Sequence, residues 1–120
     1  GSAMTESSGV FTFPSTGIYL VSFSLLVYAA ANDGFVDAEI HVTTDNSSYA
    51  EVAKATSGIY MGTTGDSVSN SGVAQTLIDV TNTSNVKVKF YVDTLNSTTT
   101  VYGSSTATLT GFTFIRLGDT

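Results

Sequence analysis

Cysteine is absent from this chain, which excludes a disulfide framework and any cysteine-ligated metal site. Cations are nearly absent as well. Lys54, Lys87, Lys89 and Arg116 are the only four, against ten Asp and Glu, and the net charge is −6. Four scattered cations make neither a basic stripe nor a phosphate-tracking patch, so no nucleic acid or other polyanion is expected as a partner. There is one histidine, His41. A histidine-dependent hydrolase would have to use it, and no Gly-x-Ser-x-Gly elbow or other nucleophile motif accompanies it, so the chain is not expected to be an enzyme. No charged segment followed by an apolar stretch and no run of about 18 apolar residues occurs within the sequence, so neither a signal peptide nor membrane insertion is expected of these residues. Helical periodicity is nearly missing. A Gly-x-y run and a heptad seam are also lacking, so any stalk would lie upstream.

What is present is β-forming and weakly charged. Ser and Thr make up 36 of the 120 residues and only 12% are charged, while β-branched and aromatic residues dominate the rest. The length is that of one domain able to bury a core. Residues 1–4, Gly-Ser-Ala-Met, read as a vector-derived remnant, and 5–120 as a single head-sized domain. The stop shortly after a strong strand, at Arg116-Leu117-Gly118-Asp119-Thr120, is the expected look of a natural carboxyl terminus.

Eight or nine short strands at regular spacing, with polar turns between them, predict an all-β sandwich or jelly roll. A short strand over Val10–Phe13 precedes a turn in which Pro14 fixes φ and Gly17 tolerates positive φ. From Ile18 to Ala31 runs one long strand. Tyr19, Val21, Phe23, Leu25 and Val27 share one of its faces at period two, and Ile18, Leu20, Leu26, Tyr28 and Ala30 make the other face apolar too. Asn32-Asp33-Gly34 reads as a hairpin turn. Val36, Ala38, Ile40 and Val42 then alternate with Asp37, Glu39, His41 and Thr43, the pattern of a strand with one wet face. Weak strands are expected around Tyr49–Ala55 and Ile59–Met61. The Gly-, Ser- and Asn-rich segment Gly62–Gly72 reads as a mobile loop, and Val73–Val80 as a strand with Thr76, Ile78 and Val80 inward. Val86, Val88, Phe90 and Val92 oppose Lys87, Lys89, Tyr91 and Asp93 on the next strand. In the last, Phe112 and Phe114 oppose Thr113, Ile115 and Leu117. No internal repeat is visible. Strands that are apolar on both faces need two covers, and in a domain this small the second is expected from another copy of the chain.

Phe11, Gly17, Tyr19 and Phe23 stand in the spacing Phe, five residues, Gly-x-Tyr, and an aromatic four residues later. This resembles the signature of the complement component 1q globular head, a branch of the tumour necrosis factor superfamily, with Val21 in place of that motif's middle Phe. The ending Leu109-Thr110-Gly111-Phe112-Thr113-Phe114 is similar to the family's closing Phe-Ser-Gly-Phe strand, with Leu in place of the first Phe. The middle of the chain matches only in strand rhythm, and the family's upstream strand is absent or cut away. The phrasing Phe-Thr-Phe-Pro-Ser-Thr-Gly-Ile-Tyr, and Phe-Ile-Arg-Leu-Gly-Asp-Thr at the end, also resembles heads of marine bacteriophage structural proteins. The resemblance implies a ten-stranded jelly roll and a homotrimer whose inner sheets surround a three-fold axis. On that basis Leu20, Ser22, Tyr91, Thr113, Ile115 and Leu117 are the expected trimer-interface residues, with Lys87 and Lys89 near one end of the axis.

The remaining candidates are weaker. Asp37, Glu39 and His41 lie about 7 Å apart along one strand face and could meet a divalent cation, but a single row lacks converging ligands, which favours an ordinary solvated face. Asp33, Asp45, Asp66 and Asp93 sit in expected loops without an Asp-x-Asp-x-Asp-Gly pattern, so they read as solubilising charge. No metal or other cofactor is expected. Gly62-Thr63-Thr64-Gly65 is too short for a phosphate loop and opens no helix. Asn46, Asn82 and Asn96 start Asn-x-Ser/Thr triplets, which arise readily by chance in so Ser/Thr-rich a chain. The resulting expectation is a non-catalytic trimeric head of a virion structural or tail-fibre protein, borne on an extracellular particle. It would bind a host-surface glycan or protein through loops at Asp45–Tyr49, Gly62–Gly72 and Asp93–Thr100, with Asp66, Ser67, Ser69, Asn70 and Ser71 as the leading ligand-loop residues. The alternatives are a purely structural capsid-decorating or fibre-trimerising knob and a secreted lectin-like module.

Overall fold

Nine strands and no helix make up the described residues of the computed structural model, 2–63 and 65–120. They run β1 (Thr5–Ser7), β2 (Val10–Thr12), β3 (Gly17–Ala29), β4 (Asp33–Thr43), β5 (Ala50–Ile59), β6 (Val68–Val80), β7 (Lys87–Asp93), β8 (Thr99–Val101) and β9 (Gly111–Gly118). All pairings are antiparallel. One sheet has the order β1-β2-β7-β4-β5; in the other, β3 lies between β6 on one side and β8 and β9, end to end, on the other. The chain is an all-β protein of two antiparallel sheets packed face to face.

The period-two pattern drives that packing. Tyr19, Val21, Phe23, Leu25 and Val27 of β3 are buried against Val36, Ala38 and Ile40 of β4 and Val88 of β7. An aromatic cluster fills the flank: Phe11 and Phe90 meet edge-on at 5.4 Å, and Phe90 stacks on Phe112 of the opposite sheet at 4.0 Å. Along the opposite flank, β5 and β6 tie the two sheets together. There Asn70 donates its side-chain amide to the Gly58 carbonyl at 2.7 Å, and the Ser57 hydroxyl donates to the Ser71 carbonyl at 3.2 Å. Gly72 permits this approach, because a Cβ on it would lie 3.1 Å from Ser57 Oγ.

Several sequence expectations change here. Asn32-Asp33-Gly34 is not a hairpin: β3 and β4 belong to different sheets, neither Asp33 nor Gly34 has positive φ, and the segment is a corner between layers. The true tight hairpin lies at Ser8-Gly9, both with positive φ (53° and 76°), joining β1 to β2. β6 begins at Val68, five residues before its expected start at Val73. Its polar first half still pairs residue for residue with β3, because backbone hydrogen bonds, rather than apolar side chains, hold that stretch in the sheet. Met4 packs against the core. No helix among the described residues is long and apolar enough to cross a membrane.

Candidate functional site: an uncovered sheet face and the loops above it

β3 is covered on one face only. Its outward residues Leu20 and Ser22 lie between β6 and β9, with Leu20 opposite both Leu77 and Ile115, and Ser22 opposite both Gln75 and Thr113. Gln75 donates to the Ser22 hydroxyl at 2.7 Å, which satisfies the one polar pair at the middle of this face. Around it stand Leu77 (62% exposed), Val73 (58%), Leu117 (57%) and Ile115 (47%). Leu117 follows Thr113 and Ile115 at period two, and it is the extra residue where the register shifts, Tyr19 pairing with Arg116 and Ile18 with Gly118. The result is an exposed group of apolar side chains, Leu20, Leu77 and Ile115 side by side with Val73 beyond the Gln75–Ser22–Thr113 row, on the outward face of the sheet, and exposed apolar groups of this kind are candidates for an interaction site.

Five of the six expected interface residues therefore share this face: Leu20, Ser22, Thr113, Ile115 and Leu117. Tyr91 does not join them. It lies on β7, in the middle of the other sheet, against the His41 ring at 4.6 Å between centroids. β7 pairs with β2 and β4, so Lys87 and Lys89 lie with Tyr91 in the five-stranded sheet and not beside Leu20 and Ile115. Lys89 places its ammonium 4.3 Å from the centre of the Tyr49 ring. Leu77, Val73 and Gln75 were not anticipated as members of the apolar face, although inward Ile78 and Val80 already imply an outward Leu77 at period two.

The loops divide between the two ends of the sandwich. β3 ends, β4 begins, β5 ends, β6 begins and β7 ends at one of them, so segments 30–34, 60–63, 65–67 and 94–98 cluster there. Asp33, buried at this corner, accepts from the Asn96 amide at 3.1 Å and from the Thr99 hydroxyl. Asn32 accepts from the Met61 amide at 2.7 Å, and its carbonyl takes the Asn96 side-chain amide at 2.9 Å. Asp33 is a loop organiser. Ala30, Ala31, Asn32, Met61 and Gly65 line a shallow hollow of about 190 Å³ between these loops.

Of the expected ligand-loop residues, Asp66 and Ser67 are exposed in the loop before β6, whereas Ser69, Asn70 and Ser71 are strand residues paired with Tyr28, Val27 and Leu26. The candidate loop is therefore shorter than Gly62–Gly72, and Thr64 lies outside the described residues. The third expected contact loop, Asp45–Tyr49, is at the opposite end. Asp45 Oδ1 accepts from the Thr43 hydroxyl and the Ser47 and Ser48 amides, each at 2.8 Å, which holds its carboxyl well below the usual carboxylate range. A larger hollow of about 390 Å³, lined by Met4, Pro14, Ser15, Tyr19, Phe114 and Arg116, opens at that same end. Arg116 is committed there: Nε donates to the Thr16 carbonyl at 3.0 Å and the guanidinium pairs with Asp119.

The expected solvated row on β4 is not solvated. Asp37 and Glu39 are 8% and 6% exposed, covered by Lys54 from β5 and by Tyr91 beside His41. A β-bulge adds a further carboxylate: Ile40 pairs with Ala53 but His41 with Glu51, so Val52 is extra and Glu51 turns onto the same face as Glu39, His41 and Lys54. Lys54 Nζ lies 2.8 Å from Glu39, 3.0 Å from Glu51 and 3.7 Å from Asp37, and Glu39 is also 2.7 Å from His41 Nε2. The lysine and histidine contacts lower the Glu39 pKa against the cost of its burial, and the two glutamates raise that of Lys54.

No family model matches this chain, and no curated protein is significantly similar to it in sequence.

Proposed function

We propose that this chain is a non-catalytic head domain of a virion structural or tail-fibre protein, assembling as a homotrimer through the outward face of β3, β6 and β9. The reading rests on one observation above the others: Leu77, Val73, Leu117 and Ile115 expose about half or more of their surface around the middle of an otherwise regular sheet. Solvent-facing strands normally alternate with polar residues, and apolar side chains around a satisfied Ser22–Gln75 pair are the make-up of an interface core. A jelly-roll winding is supported by the chain's path, which passes back and forth between sheets as β2, β3, β4–β5, β6, β7 and β8–β9. A tumour necrosis factor-like trimer is the form we favour, in keeping with the Phe11–Phe23 and Leu109–Phe114 motifs.

In this reading the segments 60–63, 65–67 and 94–98 form the distal contact surface for a host-surface glycan or protein, and a virion is the setting. A purely structural knob is the competing reading, favoured by the way the polar groups of Asn32, Asp33, Asn96 and Thr99 are taken up by one another and by the Met61 amide. A secreted lectin-like module would share the same surface. The test is a glycan array probed with the purified head, alongside a variant in which residues 62–67 are replaced by a Gly/Ser linker, leaving β6 intact. Specific glycan binding lost in the variant at unchanged assembly mass supports the receptor reading. Equal binding by both removes this loop from the contact surface, and no binding by either supports the structural knob.

A further inference from the structure

The outer face of the five-stranded sheet carries a cluster that the assembly reading does not use. Glu39, His41 and Glu51 each offer a ligand atom, and the three atoms lie within 4.8 Å of one another. Two come from β4 at period two, and the third is delivered by the bulge at Val52. The ammonium of Lys54 now occupies the space between the carboxylates, 2.8 Å from Glu39 and 3.0 Å from Glu51. The arrangement does not balance. Asp37, Glu39 and Glu51 carry three negative charges, Lys54 supplies one positive charge, and Asp37 is left with Oδ1 buried and without a hydrogen-bond partner among the described residues. An unpartnered buried carboxylate oxygen is costly and calls for a cation or a donor.

We propose that Glu39, His41 and Glu51 form a binding site for a divalent first-row transition ion such as Zn²⁺, with Lys54 as its displaceable occupant. One imidazole and two carboxylates suit Zn²⁺ better than Ca²⁺ or Mg²⁺, which favour all-oxygen shells. Ligands about 2 Å from a common ion stand closer together than 4.8 Å, so the site closes slightly on binding, and the exposed Glu51 on the bulge is the member free to move. The ion replaces Lys54 on both glutamates. The released ammonium, already 3.7 Å from Asp37 Oδ2, then turns to that carboxylate and supplies the donors it lacks. The charge of the cluster goes from −2 to neutral with His41 uncharged. Tyr91 against the imidazole holds the ring in place. The site lies on the sheet opposite the proposed assembly face, so the two proposals stand or fall separately.

The experiment is calorimetric titration of the tag-free chain with Zn²⁺, Ca²⁺ and Mg²⁺, with NMR of the imidazole nitrogens. His41 is the only histidine, so any imidazole signal is its own. The expected result is one Zn²⁺ per chain, a shift of the His41 ring nitrogens on binding, at least tenfold weaker affinity in His41→Gln, and at least tenfold tighter affinity in Lys54→Met. Melting curves without metal establish that each variant is folded. Should His41→Gln fail to fold, the ring-nitrogen shift in the parent chain and the Lys54→Met gain decide the matter. Absence of Zn²⁺ binding, equal affinity in a folded His41→Gln, an unmoved imidazole, or Ca²⁺ bound as tightly as Zn²⁺ would each overturn the proposal.

Discussion

Replacing Leu77 by Asp separates assembly from folding. Leu77 is 62% exposed within the single chain and flanks Leu20 on the uncovered face. Full burial of a leucine side chain is worth about 1.5–3 kcal/mol, so covering the exposed part returns about 1–2 kcal/mol per protomer. A carboxylate there forfeits that gain and adds a desolvation penalty, so a conservative total is about 2 kcal/mol per protomer. Across three protomers that is about 6 kcal/mol, or about four orders of magnitude in the trimer association constant. The single-chain fold loses little, because the side chain faces solvent there. Sedimentation velocity over a concentration series, with circular dichroism on the same samples, reads both quantities. The expected result is a folded monomer at concentrations where the parent chain is expected to be a trimer. A Leu77→Asp trimer of unchanged affinity would refute the assignment of this face, and a variant that unfolds instead would mean that Leu77 belongs to the core.

Gly17→Ala tests the turn that launches β3: at φ +141° a Cβ would sit 2.5 Å from the Gly118 carbonyl oxygen and 2.6 Å from Arg116 Nε, so a loss of about 2–4 kcal/mol is expected in urea unfolding. Asp45 has its pKa depressed in the fold, so its contribution is present above the ordinary value of 3.8 and is lost as pH falls through and below it. Asp45→Asn keeps an acceptor oxygen without the charge, and its melting temperature should therefore fall less steeply than that of the parent chain between pH 5 and pH 2.5, two values chosen to bracket that window.

Much of the fold was legible because β3, β4 and β7 have apolar faces that repeat at period two and cannot be satisfied in any other conformation. The second apolar face of β3 was equally readable, and with it Leu20, Ile115 and Leu117. What escaped was set by pairing between distant segments. Ser69–Ser71 carry almost no apolar signal, and only the thirteen-residue register with β3 makes them strand. Tyr91 has the same local pattern whichever sheet β7 joins, so its neighbours could not be inferred from its own strand. Glu51 was missed because a bulge reverses the face of a residue, and Val52 gives no local sign of being extra. The burial of Asp37 and Glu39 likewise depends on Lys54 arriving from β5, so a row of charges that looks solvated in one strand becomes a covered network in the sheet.

Light scattering coupled to gel filtration of the unmodified chain at micromolar concentration tests the assembly reading most directly. The account predicts a single species at three times the 12.5 kDa chain mass, and a species that stays monomeric across that range would contradict it.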